Sequence, residues 1–105
     1  MFRRACVARL RPEKKEQYIS LHENAWPEVL AELAKHHHHH HSVFIIGDML
    51  FQYFEYTGDD FEEDMRLMRQ NPVMQEWWHI CAECVWPNSE GRESWEIINE
   101  IFHND

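Results

Sequence analysis

A chain of 105 residues makes one domain, with room for a core but only a modest margin of stability on its own. Its formal net charge of −9 speaks against nucleic acid or an anionic membrane as a partner, because nothing here would neutralise phosphates. No apolar run approaches a membrane span, and the basic N-terminus has no long apolar stretch behind it, so it does not read as a signal peptide. Three cysteines, an odd number without a secretory signal, are expected as free thiols in a reducing, cytoplasmic compartment.

Residues 2–10 alternate, with Cys6, Ala8 and Leu10 on one face and Ala5 and Val7 on the other, as a strand does. Pro12 and the charged Glu13-Lys14-Lys15-Glu16 open a helix that carries Tyr18, Leu21 and His22. Pro27 then starts a second helical stretch, where its missing N–H costs little, and Trp26, Val29, Leu30 and Leu33 recur as a core stripe.

An uninterrupted hexahistidine follows: His36, His37, His38, His39, His40 and His41. It has the length of a purification tag, and is read as an engineered replacement in a tolerant loop. Nickel or zinc bound there would be adventitious, and no physiological metal is expected.

Ser42 to Ile46 is a second strand, Gly47-Asp48 a tight turn, and Met49 to Tyr56 a third strand, paired with the second as a hairpin. Asp59 or Asp60 can cap the next helix, whose apolar stripe is Phe61, Met65 and Met68. A last helix runs from about Pro72 to Cys84, with Val73, Trp77, Ile80 and Cys84 on one face. Pro87 to Gly91 is a loop, and residues 94–102 alternate as a fourth strand.

The order is β-α-β-β-α-β, an α+β chain of the ferredoxin-like kind in a single domain over residues 1–105. Strands two to four carry apolar residues on both faces, and helices can cover only one face of such a sheet. The other face is expected to hold a ligand cavity, a partner sheet or both, which predicts a homodimer forming a dimeric α/β barrel.

Tyr18 and His22, four apart, share one helix face. An imidazole gives and takes protons near neutral pH, and a phenol can orient a polar ligand beside it. A histidine on an amphipathic helix is also an ordinary surface residue, so the weight falls on its company. Trp77 and Trp78 are adjacent on a helix, about 100° apart, and cannot both face one core. Trp77 aligns with the core, which leaves Trp78 for a groove or an interface. An indole beside an acid/base group and a phenol suits a sugar, packing on ring C–H groups while polar groups take hydroxyls.

Cys81-Ala82-Glu83-Cys84 is a CxxC that closes a helix instead of opening one, with only Cys6 left as a further thiol. It reads as packing. His79 and His103 have no spacing partner, and Glu28 and Glu55 read as surface carboxylates. No Gly-rich phosphate loop or nucleophile elbow is present.

The set formed by Arg3-Arg4-Ala5, Tyr18, His22, Trp26-Pro27-Glu28, Trp77-Trp78 and Glu100-Ile101-Phe102-His103 resembles the L-rhamnose mutarotase family from end to end. The resemblance implies a dimeric α/β barrel, no cofactor, and interconversion of the α and β anomers of a 6-deoxy sugar. It implies His22 as the acid/base, with Tyr18, Trp77 and Trp78 around the sugar. The family usually carries an Asn-Tyr pair where this chain has His40 and His41. By that correspondence His41 takes the place of a substrate-binding tyrosine, so one wall of the pocket is rewritten. The CxxC and a longer stretch near Thr57 to Glu63 are lesser departures. The alternative from another class is a non-catalytic barrel that binds a ligand or a partner protein, and a third is a cofactor-free oxygenase on a ferredoxin-like scaffold.

Overall fold

The computed structural model describes residues 1–87 and 95–105. In chain order it contains β1 (Phe2–Arg9), a 3₁₀ turn (Pro12–Lys14), α1 (Lys15–Glu23), α2 (Pro27–Lys35), β2 (His38–Ile46), β3 (Met49–Tyr56), α3 (Phe61–Arg69), α4 (Pro72–Glu83) and β4 (Glu96–Ile98). The four strands make one sheet in the order β2-β3-β1-β4, and every neighbouring pair is antiparallel.

Local chemistry explains the boundaries. Trp26 is extended, as the residue before a proline should be, and Pro27 begins α2. Asp60, not Asp59, caps α3, accepting from the Glu63 N–H at 3.1 Å. Asn71 caps α4 by accepting from the Val73 N–H at 2.9 Å. Gly47, with φ +57°, takes the first central position of the β2–β3 hairpin, where a glycine avoids left-handed strain.

Cys6, Ala8 and Leu10 are buried on the helix-facing side of β1, as the alternation predicts. Two core groups result. Leu10, Tyr18, Leu50, Cys84 and Val85 form one, and Val29, Met68, Met74 and Trp77 the other. Within α2, Val29 is buried, but Leu30 is 55 % exposed and is not a core residue. It lies one helical step, about 100°, from Val29 and turns off the buried stripe.

The histidine run is not a loop. It leaves α2 and enters β2, with His36 and His38 buried. His36 Nδ1 meets Asp64 Oδ1 at 3.1 Å, while Asp64 Oδ2 accepts from the Tyr56 hydroxyl at 2.5 Å. His37 and His40 take positive φ of 65° and 51°, a region that histidine visits more readily than most side chains. Between His39 and Ser42 the strand gains one residue against β3, a β-bulge centred on His40 and His41.

Two further expectations change. The fourth strand is only Glu96–Ile98. Beyond it the alignment with β1 continues as an Arg3–Glu100 ion pair of 3.0 Å instead of a backbone ladder. The proposed loop at Pro87 to Gly91, beyond Pro87, and Ser94 lie outside the described residues. The main cavity lies between the sheet and the helices, not on the sheet's opposite face. That opposite face exposes Phe44, Ile46, Phe51 and Ile98.

Candidate active site

A cavity of about 510 Å³ opens between the sheet and the helices. All five candidate side chains from the sequence reach it: Tyr18 and His22 from α1, Trp77 and Trp78 from α4, and His41 from β2. Trp77 does both things the sequence reading gave it. It is 8 % exposed and packs in the core, and it also lines the cavity.

The His22 ring stacks on Tyr18, with centroids 4.1 Å apart, and lies 5.3 Å from Trp77. Trp26 closes the row edge-on to Trp77 at 5.2 Å. His22 Nδ1 is 2.9 Å from the Tyr18 carbonyl oxygen. A carbonyl only accepts, so Nδ1 carries the proton and Nε2 is the nitrogen left for a ligand. Burial lowers the His22 pKa below 6.5, so the imidazole is neutral at pH 7. Burial likewise pushes the Tyr18 phenol well above its usual range, so it stays protonated and available as a donor.

His41 Nε2 is 3.0 Å from Gln52 Oε1. The amide oxygen accepts, which leaves His41 Nδ1 uncommitted. The His41 ring lies 5.6 Å from Phe54, and part of the residue is exposed. Burial among its neighbours lowers its pKa as well.

Three polar cavity residues, Gln52, Arg4 and His38, were not assigned to the site by the sequence reading. Gln52 is a polar residue at an inward register position between Leu50 and Phe54, and that was a usable signal. Arg4 shares the cavity face of β1 with Cys6, its guanidinium 4.9 Å from the rings of Phe2 and Phe61. His38 stacks on Phe54 at 5.1 Å and was hidden in the run of identical residues. Cys81, read from the sequence as packing, lines the cavity wall with its thiol pushed up to about 12 by burial, an inert group.

The residues set aside stay at the surface. His79 pairs with Glu83, and His103 with Asp105, on exposed faces. Glu28 is exposed, and Glu55 accepts from Tyr53 at 2.9 Å away from the cavity. Among the described residues, no three His, Cys, Asp or Glu side chains converge as a metal site.

The sequence profile of L-rhamnose mutarotase matches residues 3–104. The chain belongs to the L-rhamnose mutarotase family. Curated members from Bacillus subtilis and Oceanobacillus iheyensis are 32 % and 30 % identical, each over the full length of both chains. Among solved structures, the L-rhamnose mutarotase of Formosa agariphila superposes with a TM-score of 0.78 at 22 % identity, covering both chains fully. The tetracenomycin F2 cyclase of Streptomyces glaucescens also superposes, with a TM-score of 0.64 at 17 % identity. A type-II polyketide cyclase on a similar backbone means that the fold alone does not decide the activity. For this mutarotase-family chain the cavity residues have to do so.

Proposed function

We propose that the protein is an aldose mutarotase that interconverts the α and β anomers of a 6-deoxyhexopyranose such as L-rhamnose. The observation that carries this reading is His22: a neutral imidazole in an open cavity, with one nitrogen bound to its own helix and the other available.

Mutarotation breaks the bond between the anomeric carbon and the ring oxygen and remakes it on the other face. His22 takes the proton of the anomeric hydroxyl while the ring oxygen gains one from Tyr18 or water. The ring opens to the aldehyde, the carbonyl turns, and the reverse transfers close the ring. No C–H bond breaks, and the reaction as written needs no cofactor. Trp77, Trp78 and Tyr18 offer apolar surface to the sugar's C–H groups, while Arg4, Gln52 and His41 offer polar groups to its hydroxyls. An open cavity lined by such groups speaks against a protein-interaction module with a filled interior, and a ligand-binding barrel without catalysis would bind the sugar while leaving exchange at the buffer rate.

The strand order β2-β3-β1-β4, with helices on one side only, supports a ferredoxin-like fold. The bare apolar face of that sheet supports a homodimer packed sheet to sheet as an α/β barrel.

Saturation-transfer NMR on L-rhamnose and L-fucose tests the activity and selects the substrate. Exchange between anomeric signals above the buffer rate, stronger for one sugar, is the expected result. Buffer-rate exchange for both would remove the reading.

A further inference from the structure

We propose that Arg4 forms a subsite for an anionic substituent, so that the cavity also takes aldoses carrying a carboxylate or a phosphate on the carbon that a 6-deoxy sugar leaves bare. The proposal rests on the mutarotase reading, which sets the anomeric carbon at His22, and widens its substrate class.

Register places Arg4 at the other end of the cavity from His22. Tyr18 belongs to the core group that includes Ala8 and Leu50, and the His22 ring stacks on it. Ala8 faces Leu50 across the β1–β3 ladder, and Arg4 faces Phe54. Four residues separate the two pairs on each strand, roughly 13 Å at the usual rise. Cys6 and Gln52 sit between them and line the cavity. A pyranose anchored at His22 therefore extends along the sheet toward Arg4.

The Arg4 side chain is held but not neutralised. Its guanidinium lies 4.9 Å from the ring centres of both Phe2 and Phe61, which attract a cation without cancelling its charge. Arg3 and Arg66 are paired with Glu100 and Glu63, whereas Arg4 has no hydrogen bond or ion pair among the described residues. The chain holds 19 Asp and Glu residues, yet among the described ones none lines the cavity. Asp64, on α3, is engaged by the Tyr56 hydroxyl and His36. Arg4, Phe2, Phe61 and Gln52 all lie outside the histidine run.

Filling the cavity turns this imbalance into selectivity. A bound sugar takes water from the guanidinium, and a desolvated cation needs a counter-charge. Hydroxyls return hydrogen bonds without charge. A carboxylate or phosphate returns both, through two parallel N–H···O bonds to the planar fork.

The test is anomer exchange with matched sugars of the L-manno and L-galacto series: the 6-deoxy sugar, the 6-phosphate and the uronate of each. The proteins are the wild type, Arg4→Met and Arg4→Lys, each checked by a thermal melt, with Arg4→Gln in place of Arg4→Met if that melt is not native. In the wild type a charged aldose should exceed its 6-deoxy counterpart in kcat/KM by about tenfold or more. Arg4→Met should erase the excess, and Arg4→Lys, which keeps the charge but not the fork, should retain part of it. An excess confined to uronates identifies a carboxylate as the bound group, and one confined to 6-phosphates identifies a phosphate. Charged aldoses exchanged no faster than the 6-deoxy sugars, or an excess that survives without the Arg4 cation, would overturn the subsite and leave the mutarotase reading standing. Buffer-rate exchange for every sugar would remove both.

Discussion

Tyr18 and His22 are joined twice: their rings stack at 4.1 Å, and the His22 Nδ1–H donates to the Tyr18 carbonyl at 2.9 Å. The stack holds the imidazole plane, and the hydrogen bond sets its tautomer. A four-residue spacing on one helix therefore delivers a base already oriented before any substrate enters.

Tyr18→Phe separates these effects. The ring and the backbone bond remain, and the phenolic donor is lost. The expected outcome is a drop of about tenfold in kcat/KM, the cost of roughly one hydrogen bond, with the melting temperature near that of the wild type. Steady-state anomer exchange together with a thermal melt checks it.

The cavity histidines make stability depend on pH. His22, His38 and His41 each have a folded pKa below 6.5, through burial first. Above about pH 6.5 they are neutral in both folded and unfolded chains and contribute nothing. As pH falls below that value the unfolded chain takes up protons first, so stability declines down through the folded pKa values. Melting temperatures taken across this range should fall on the acid side, and the slope should be shallower in His41→Phe. A flat wild-type curve would contradict the burial account.

Asp64 ties α3 to two other elements through His36 and the Tyr56 hydroxyl. Its pKa is lowered, first by the Tyr56 bond. Its contribution is therefore present above the ordinary carboxylate range and is lost as pH falls through the depressed value. Asp64→Ala strands two polar partners and should cost about 2 kcal/mol in urea unfolding at neutral pH. The difference from the wild type should shrink in acid.

The outer sheet face gives a test of assembly. Phe44 is 63 % exposed and stands in register with Phe51 on the neighbouring strand. Phe44→Glu should shift the sedimentation profile from dimer to monomer, because a charge would be buried in the middle of an apolar interface. A wild type that sediments as a monomer would remove the barrel.

Much of this layout was legible in the chain. The inward face of β1, the Gly47-Asp48 hairpin, the acidic cap of α3 and the shared face of Tyr18 and His22 follow from period and spacing, whereas the convergence of Trp77 and Trp78 on that pair was legible only through the family resemblance. The histidine run was opaque for a physical reason. Six identical residues have no alternation, so neither the start of β2 at His38 nor the bulge that turns His41 inward could be read from them. Leu30 fits a helical stripe in sequence but sits past its edge. Past Ile98 the chain meets β1 through the Arg3–Glu100 side-chain pair instead of the backbone, a choice that no local pattern encodes.

The central claim is that His22 moves the proton in mutarotation. The most direct measurement is the anomer exchange rate of the preferred deoxy sugar with His22→Gln beside the wild type, at equal concentration and with folding confirmed by a melt. The account predicts a loss of roughly 10²- to 10⁴-fold in kcat with the fold intact. Exchange at the wild-type rate in that variant would contradict it.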